Sequence, residues 1–305
     1  MSLDRLITRI DELHNPTVVG LDTKLEYVPH DFQDPFFVKE GKTLEAAAHI
    51  ILAYNQAIID AICDIVPAVK PQAAYYELYG WPGMRALAET IQYAQHKGMF
   101  VITDGKRNDI GATMTAYAAA HLGTIDVGGI TQTPFGADAL TVNGYLGTDG
   151  IEPLLDICQA KDKGIFVLAK TSNPSSGEVQ DQTIHGTPIY AVMGNLCENW
   201  GKDQIGQYGY STVGAVVGAT YPEQLIELRK SLPHTMFLVP GYGAQGGKAK
   251  DVANAFDTQG RGAIVNSSRA ILCAWKKEQN LENINFADAA RKEALRMRED
   301  ITSYI

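Results

Sequence analysis

Eight short apolar segments recur along the chain, and they predict its β-strands. They are rich in Val, Ile and other strand formers, they are bounded by Gly, Pro, Asn or Asp, and most are almost continuously apolar. Continuously apolar strands are typical of parallel sheets covered by helices on both faces. The predicted strands are residues 17–22, 66–72, 99–106, 139–143, 164–172, 212–220, 235–243 and 262–269.

Segments with helical periodicity lie between these strands, for example residues 43–63 before the second strand and 82–98 before the third. The order is therefore an alternation of β and α elements. Eight such units in about 250 residues predict an α/β fold of the (β/α)8 TIM-barrel type. An open, doubly wound sheet is the alternative, although no G-x-G-x-x-G follows the first strand.

Two connections are longer than a strand-to-helix turn requires. Residues 24–42 follow the first strand and are rich in Pro and aromatic residues, and residues 173–190 follow the fifth strand. We interpret both as loop insertions, the first of them over the mouth of the barrel. Because no low-complexity linker and no repeat divides the chain, we expect residues 1–305 to form a single domain.

Charge and cysteine content narrow the classes of partner and compartment. The 35 acidic residues outnumber the 26 basic ones, which gives a formal net charge of −9. Nucleic acids and anionic membranes attract clustered positive charge, so neither is an expected partner, and any anionic ligand needs a local site. The cysteines show no C-x-x-C or zinc-ligand spacing and are predicted to be reduced thiols, namely Cys63, Cys158, Cys197 and Cys273.

The N-terminal segment and the apolar runs bear on localisation. Residues 1–16 form a charged amphipathic pattern without the apolar centre of a signal peptide. No later segment approaches the roughly 20 apolar residues that cross a bilayer. We therefore expect a cytoplasmic protein.

Opposite charges cluster where two neighbouring strands end. Lys70 ends the second strand, Asp104 and Lys106 end the third, and Asp109 follows three residues later. The carboxyl ends of barrel strands meet at one face, where active sites are built. Alternating charges would keep one another ionised there, whereas an isolated buried charge is costly. Singly, each charge is better explained by solvation, and Asp109 could cap the next helix, but the cluster predicts a site.

A second cluster follows the seventh and eighth strands. Residues 239–251 contain a proline and four glycines before a helix expected near Lys248, and Arg269 follows the eighth strand. Barrel enzymes frequently bind phosphate at these two loops, and an arginine fork suits that anion. A glycine-rich turn alone would be a weak signal, because it could simply join a strand to a helix. Together the two features predict a phosphorylated small molecule as ligand.

These segments resemble a known family. Residues 104–113, "DGKRNDIGAT", match the D-x-K-x-x-D-I-x-x-T signature of the orotidine 5′-monophosphate decarboxylase family. "GLDTK", "AVKPQ", "AKTSNPSSGEVQD", "PGYGAQGG" and "NSSRAIL" resemble that family's other segments in the same order. The resemblance runs from about residue 17 to residue 272, and it is strongest to the longer bacterial (type 2) branch.

The resemblance implies a (β/α)8 homodimer that decarboxylates orotidine monophosphate to uridine monophosphate in de novo pyrimidine biosynthesis, without a metal or organic cofactor. It implies that Lys106 donates a proton to C6 of the pyrimidine, and that Asp109 and Thr113 reach the neighbouring subunit's site. Asn143 and Lys170 are not fixed by the signature. The implied catalytic residues are Lys70, Asp104, Lys106 and Asp109, and the implied substrate-binding residues are Asp22, Thr113, Ser172, Pro240, Gln245, Gly246, Gly247 and Arg269.

Three alternative functions remain open from the sequence. The same D-x-K-x-x-D array could serve a related barrel enzyme that acts on a sugar phosphate through a Mg²⁺-stabilised enediolate. Lys170 could be the Schiff-base lysine of an aldolase. The chain could also be a barrel that binds a phosphorylated ligand without catalysis.

Overall fold

The computed structural model describes residues 2–243, 246–277 and 285–305, and its centre is a closed barrel of eight parallel strands. Each strand pairs with its neighbours in chain order, and the first pairs with the last through Thr17 and Val265. This closure confirms the (β/α)8 prediction and excludes the open sheet. The barrel strands are β1 Thr17–Leu21, β2 Ala68–Pro71, β3 Phe100–Arg107, β4 Ala139–Val142, β5 Gly164–Lys170, β6 Val213–Val217, β7 Phe237–Val239 and β8 Ala263–Ser267.

All eight predicted strands are present, and most are shorter than predicted. The polar residues that end the predicted segments mostly belong to the loops at the mouth of the barrel, as at Asp22 and Ser172. Two small hairpins lie outside the barrel, one pairing Ile125–Val127 with Ile130–Gln132 and the other pairing Thr183–Ile184 with Thr187–Pro188.

The helices pack around the barrel in the predicted alternation. The helix predicted over 43–63 is Leu44–Ile62, and it begins where Thr43 Oγ1 accepts a hydrogen bond from Ala46 N–H at 3.1 Å. The helices are α1 Ser2–Leu13, α2 His30–Glu40, α3 Leu44–Ile62, α4 Ala73–Glu77, α5 Gly80–His96, α6 Gly111–His121, α7 Glu152–Lys161, α8 Ile189–Gly201, α9 Pro222–Ser231, α10 Ala249–Val252, α11 Arg269–Leu272 and α12 Phe286–Thr302.

Helix α1 closes the amino-terminal end of the barrel. Its side chains Leu3, Leu6 and Ile7 are buried and belong to the same cluster as Phe166 and Ile264 inside the barrel. Removing these side chains from water stabilises the plug at roughly 25 cal/mol per Å² of apolar surface. With the lower end filled, a ligand can reach the interior only from the carboxyl ends of the strands.

The insertion after β1 was expected to be a loop, and that expectation is wrong for most of its length. It contains α2, preceded by a short 3₁₀ helix at Leu25–Tyr27. The buried Gln33 amide of α2 donates to the carbonyl oxygens of Leu25 and Val28 at 3.0 and 2.8 Å. Phe32 also packs edge-on against Tyr54 of α3. These tertiary contacts stabilise a helix that the Pro-rich and aromatic sequence did not predict.

The insertion after β5 contains the 3₁₀ helix Pro174–Glu178 and the Thr183–Pro188 hairpin. All four cysteines are free, and burial raises the pKa of the Cys158 and Cys197 thiols. Among the residues that the structure describes, no helix is both long enough and apolar enough to span a membrane.

Candidate active site

A cavity of about 650 Å³ opens at the carboxyl ends of the strands, at the end of the barrel opposite α1. Its apolar wall includes Leu168, Val216 and Leu238, from β5, β6 and β7. Its polar wall gathers side chains from loops that are distant in sequence. Seven of the twelve residues implied by the sequence line it, namely Asp22, Lys70, Asp104, Lys106, Ser172, Pro240 and Arg269.

The Asp104 carboxylate joins the charges of the array. Its Oδ2 accepts from Lys70 Nζ at 2.6 Å, and its Oδ1 accepts from Lys106 Nζ at 2.6 Å. Oδ1 also accepts from the Thr141 hydroxyl at 2.8 Å, and that hydroxyl accepts from the Lys106 backbone N–H at 3.0 Å. Sequence reasoning missed Thr141, whose one signal was a hydroxyl within the apolar segment of β4.

The two lysines differ in their access to the cavity. The Lys70 side chain is 5% exposed and the Asp104 side chain 9%, whereas the Lys106 side chain is 46% exposed. Lys70 is thus held behind the carboxylate, while Lys106 lies on the open side. Lys106 is the ammonium group that a ligand in the cavity can contact.

The charges fix one another's protonation states. Burial alone would raise the pKa of Asp104, but Lys70 and Lys106 outweigh it and hold that pKa well below its ordinary range. Burial would likewise lower the pKa of Lys70, but Asp104 and then Asp22 outweigh it and raise that pKa. The site therefore presents a carboxylate between two ammonium groups at neutral pH.

The backbone brings Lys106 to Asp104 by an irregular path. The prediction placed both side chains on one face of a regular strand, two residues apart. The register between β3 and β4 instead shifts between Thr103 and Arg107, and Lys106 has a φ of +46°. A non-glycine residue in this region costs about 1–3 kcal/mol, so the irregularity is retained against a strain. The Lys106–Asp104 contact is present, but the irregular backbone positions it.

Asp109 and Thr113 lie away from the cavity of their own chain. The Asp109 carboxylate is half-buried and accepts from the N–H of Ile110 at 2.8 Å, and Thr113 is exposed on α6. Asp109 does not cap this helix either, because the residue before α6 is Ile110. One chain therefore brings together three of the four charges of the implied array.

The implied phosphate region is only partly assembled. Pro240 and Arg269 line the cavity, and the exposed Arg269 makes no hydrogen bond or ion pair with the described residues. The N–H groups of Gly246 and Gly247 donate to Gly243 O and Gly241 O within the turn. Gln245 lies outside the described residues. The helix expected near Lys248 begins at Ala249 and is only four residues long.

Comparison with known proteins links this cavity to one family. The profile described as "Orotidine 5'-phosphate decarboxylase / HUMPS family" matches residues 41–284, which contain the charge array and Arg269. The chain belongs to this family.

Relatives and solved structures match over nearly the whole chain. The chain is 48% identical to the orotidine 5'-phosphate decarboxylase of Rhodopirellula baltica, with 93% of each protein covered. It is 41% identical to that of Caldicellulosiruptor bescii, with 99% of this chain and 98% of the relative covered. The structure of Leishmania donovani OMP decarboxylase is similar at a TM-score of 0.73 and 27% identity, with 99% and 98% covered. The length of the bacterial matches is compatible with the longer branch of the orotidine 5'-phosphate decarboxylase family.

Two buried oxygens in the cavity wall have no hydrogen-bond partner among the described residues. They are Asp22 Oδ1, just after β1, and Asn266 Oδ1, in β8. Gly20 lets these two segments approach, because a Cβ at that position would lie 1.9 Å from Ser268 Oγ. Buried polar atoms are rarely left unpaired, so both are suited to a polar ligand. Sequence reasoning found Asp22 but missed Asn266, whose signal was an amide within the apolar segment of β8.

The two residues that the family signature left open lie outside the cavity lining. Asn143 is exposed, and its Oδ1 accepts from Tyr145 N–H at 3.0 Å. Lys170 is fully buried and bonds to Ser176 and Asp181. Within 2–243, 246–277 and 285–305, no group of three or more His, Cys, Asp and Glu residues is placed to hold a metal ion.

The charge array predicts a pH-dependent stability. Replacing Asp104 by Asn is expected to lower the free energy of unfolding at pH 7 by about 3–5 kcal/mol, because the buried Lys70 loses its counter-charge. The folded-state pKa of Asp104 is below its ordinary value of 3.8, so the wild-type protein loses this contribution as pH falls below that value. The difference between wild type and variant should therefore narrow as pH falls from about 4 to about 2.

Urea unfolding at a series of pH values measures this difference. Asp34→Asn is the matched control, since it removes an exposed carboxylate from α2 and should change stability by less than about 0.5 kcal/mol. An Asp104→Asn effect that stays constant over the acid range would contradict the assigned ionisation.

Proposed function

We propose that this chain decarboxylates orotidine 5′-monophosphate to uridine 5′-monophosphate in de novo pyrimidine biosynthesis, in the cytoplasm and without a cofactor. The observation that carries the proposal is the Asp104 carboxylate, held between Lys70 and Lys106 in a cavity that Arg269 also lines. Membership of the orotidine 5'-phosphate decarboxylase / HUMPS family supports the same reaction.

The reaction needs an external charge beside the reacting carbon. Loss of carbon dioxide from C6 leaves an electron pair in the plane of the pyrimidine ring, where the π-system cannot delocalise it. An ammonium group fixed in advance beside C6 stabilises that charge and then donates a proton to it. Lys106 fits this role because its ammonium group is bonded to Asp104 yet exposed to the cavity.

Asp104 and Lys70 prepare Lys106 for this role. With its pKa held low, the Asp104 carboxylate stays ionised and lies where it would repel the carboxylate of the substrate. The repulsion is relieved as carbon dioxide leaves, which favours the transition state over bound substrate. Buried Lys70 prevents Asp104 from taking up a proton instead.

The remaining cavity residues divide the nucleotide among them. Asp22, with its unpaired Oδ1, binds ribose hydroxyls, and Ser172 contacts the pyrimidine. Arg269 binds the phosphate, together with Pro240 and the implied Gln245. Gly246 and Gly247 contribute N–H groups when their turn bonds are exchanged for phosphate oxygens. Binding energy from the phosphate, remote from C6, can thus drive closure of the loop.

A second copy of the chain completes the site. Asp109 and Thr113 lie away from their own cavity, so we propose that they act in the neighbouring subunit of a homodimer. Apolar side chains exposed near them suit an interface, since large exposed apolar patches mark contact surfaces. These exposed side chains are Ile110, Ile125, Val127, Ile130, Tyr145 and Leu146.

One alternative loses its support from the geometry. A Schiff-base aldolase needs a lysine that a carbonyl substrate can reach, but Lys170 Nζ is fully buried and bonds to Ser176 and Asp181. The metal-dependent sugar-phosphate enzyme and the silent binding protein are separated from the proposed function by the assay below.

The reaction itself is tested with orotidine monophosphate and excess EDTA, by following the loss of orotate absorbance. Wild-type protein should turn over in the presence of the chelator. Lys106→Ala should lower turnover by several orders of magnitude while uridine monophosphate still binds, because a preorganised charge and a proton donor are lost together. Lys97→Ala is the control, since this lysine forms an exposed pair with Asp60. Turnover of Lys106→Ala near the wild-type rate would refute the assigned proton donor.

The phosphate assignment is tested with two substrates that differ in one group. Arg269→Ala should lower kcat/KM for orotidine monophosphate by about 10- to 100-fold, as expected for a charge-assisted hydrogen bond. The same change should leave kcat/KM for orotidine, which lacks the phosphate, almost unaffected. Arg296→Ala, on the remote helix α12, serves as the control. Equal losses with both substrates would show that Arg269 does not bind the phosphate.

Mixing two inactive variants tests whether the site is shared. In a mixed dimer of Lys106→Ala and Asp109→Ala chains, one site combines an intact Lys106 with an intact Asp109 from the other chain. Random reassociation should therefore restore about one quarter of wild-type activity. If Asp109 acted within its own chain, every site in the mixture would lack one group and no activity would return.

A further inference from the structure

A fully buried lysine lies beside the cavity but outside its lining. Lys170, the last residue of β5, has 0% of its surface exposed. Its ammonium group donates to Ser176 Oγ at 3.0 Å and to Asp181 Oδ1 at 2.7 Å. It also lies 4.4 Å from the centre of the Tyr221 ring. The proposed reaction assigns no role to this group.

A buried ammonium group is costly unless each of its donors is satisfied. The neighbours of Lys170 satisfy it from two different segments. Ser176 and Asp181 belong to the insertion after β5, and Tyr221 belongs to the loop after β6. The ring face of Tyr221 adds a favourable cation–π contact. Lys170 therefore joins the insertion to the neighbouring loop at the end of the strand.

The same insertion determines the geometry of the cavity wall. Thr171, Ser172 and Asn173 follow Lys170 and all line the cavity. Gln180, next to Asp181, accepts from Thr171 N–H at 2.9 Å and donates to Thr171 Oγ1 at 2.7 Å. The Thr171 hydroxyl in turn donates to Asn173 Oδ1 at 2.6 Å. Movement of the Gln180–Asp181 segment would thus be transmitted to the residues beside Ser172.

The loop after β6 confines the wall from its other side. A Cβ on Gly218 would lie 3.0 Å from the Cα, Cβ and N atoms of Ser172, so the two backbones are in close contact. The Thr220 hydroxyl donates to Ser172 O at 3.4 Å. Ser172 is thereby fixed only while both loops keep their places, and Lys170 is the charged group that contacts both.

We propose that Lys170 is a positioning residue for the pyrimidine end of the site. Its ammonium group clamps residues 173–190 against the loop after β6 and so fixes Ser172 and Asn173 in the cavity wall. The proposal rests on the proposed function for the identity of the substrate. The clamp itself, however, can be measured without catalysis.

Lys170→Met removes the charge and retains a side chain of similar length. It should lower kcat/KM for orotidine monophosphate by about 100-fold, the loss expected when a reacting group is misplaced by about 1 Å. Ser172→Ala should lose much of the same contact. Because both changes act through Ser172, the double variant should be little worse than the more impaired single variant. Additive losses would overturn the proposal, since they would mean that Lys170 acts independently of Ser172.

Two further variants separate positioning from stability. Asp181→Asn removes the clamp's partner charge at a side chain that is 41% exposed, so it tests the proposal even if Lys170→Met does not fold. It should lower kcat/KM in the same direction, and full retention would count against the clamp. Lys163→Met is the matched control at the opposite end of β5, where Lys163 donates to Gly136 O at 3.1 Å. It should lower the melting temperature and leave kcat/KM unchanged.

Hydrogen exchange in the absence of substrate distinguishes failure of the clamp from failure of the proposed function. Amides of residues 173–190 should exchange at least about tenfold faster in Lys170→Met or Asp181→Asn than in wild type, while the barrel strands keep their protection. Unchanged exchange in this segment would overturn the clamp. Wild-type protein that shows no decarboxylation would refute the proposed function alone, because the exchange result would still decide whether Lys170 holds the insertion.

Discussion

The buried carboxylate of Asp104 is the constraint on which the rest of the site depends. An ionised carboxylate at this depth is stable only with opposite charges in contact, and Lys70 and Lys106 supply them at 2.6 Å each. Those contacts require β2 and β3 to be neighbours and the end of β3 to leave regular geometry. The strained φ of Lys106 is therefore a consequence of the charge arrangement.

The barrel makes this arrangement possible by directing it to one end. Helix α1 fills the amino-terminal end with Leu3, Leu6 and Ile7, so the polar groups are collected at the other end. The apolar wall of Leu168 and Val216 gives the carboxylate a surrounding of low polarity. In such a surrounding the interaction between charges is stronger than in water. One fold thus supplies both the rigid support and the electrostatic environment.

The two sides of the cavity differ in how completely they are assembled without a ligand. At β5 and β6, Lys170 and Gln180 hold the wall through internal bonds. At β7 and β8, Arg269 makes no hydrogen bond or ion pair with the described residues, and the N–H groups of Gly247 and its neighbour are used within their own turn. The pyrimidine end is thus preorganised, whereas the phosphate end is left for the ligand to order. This division suits an enzyme that uses phosphate binding to close its site.

The sequence by itself determined the eight strands, most of the helices between them, and the charges at the strand ends, because periodicity and strand-end chemistry are local properties. Only the tertiary structure decided that residues 30–40 form a helix, that Thr141 and Asn266 join the cavity, and that Asp109 and Thr113 lie outside their own chain's cavity. It also decided that Lys170 faces the insertion instead of the substrate. These features depend on contacts between residues far apart in the chain, which form only when the barrel closes and its loops pack on one another.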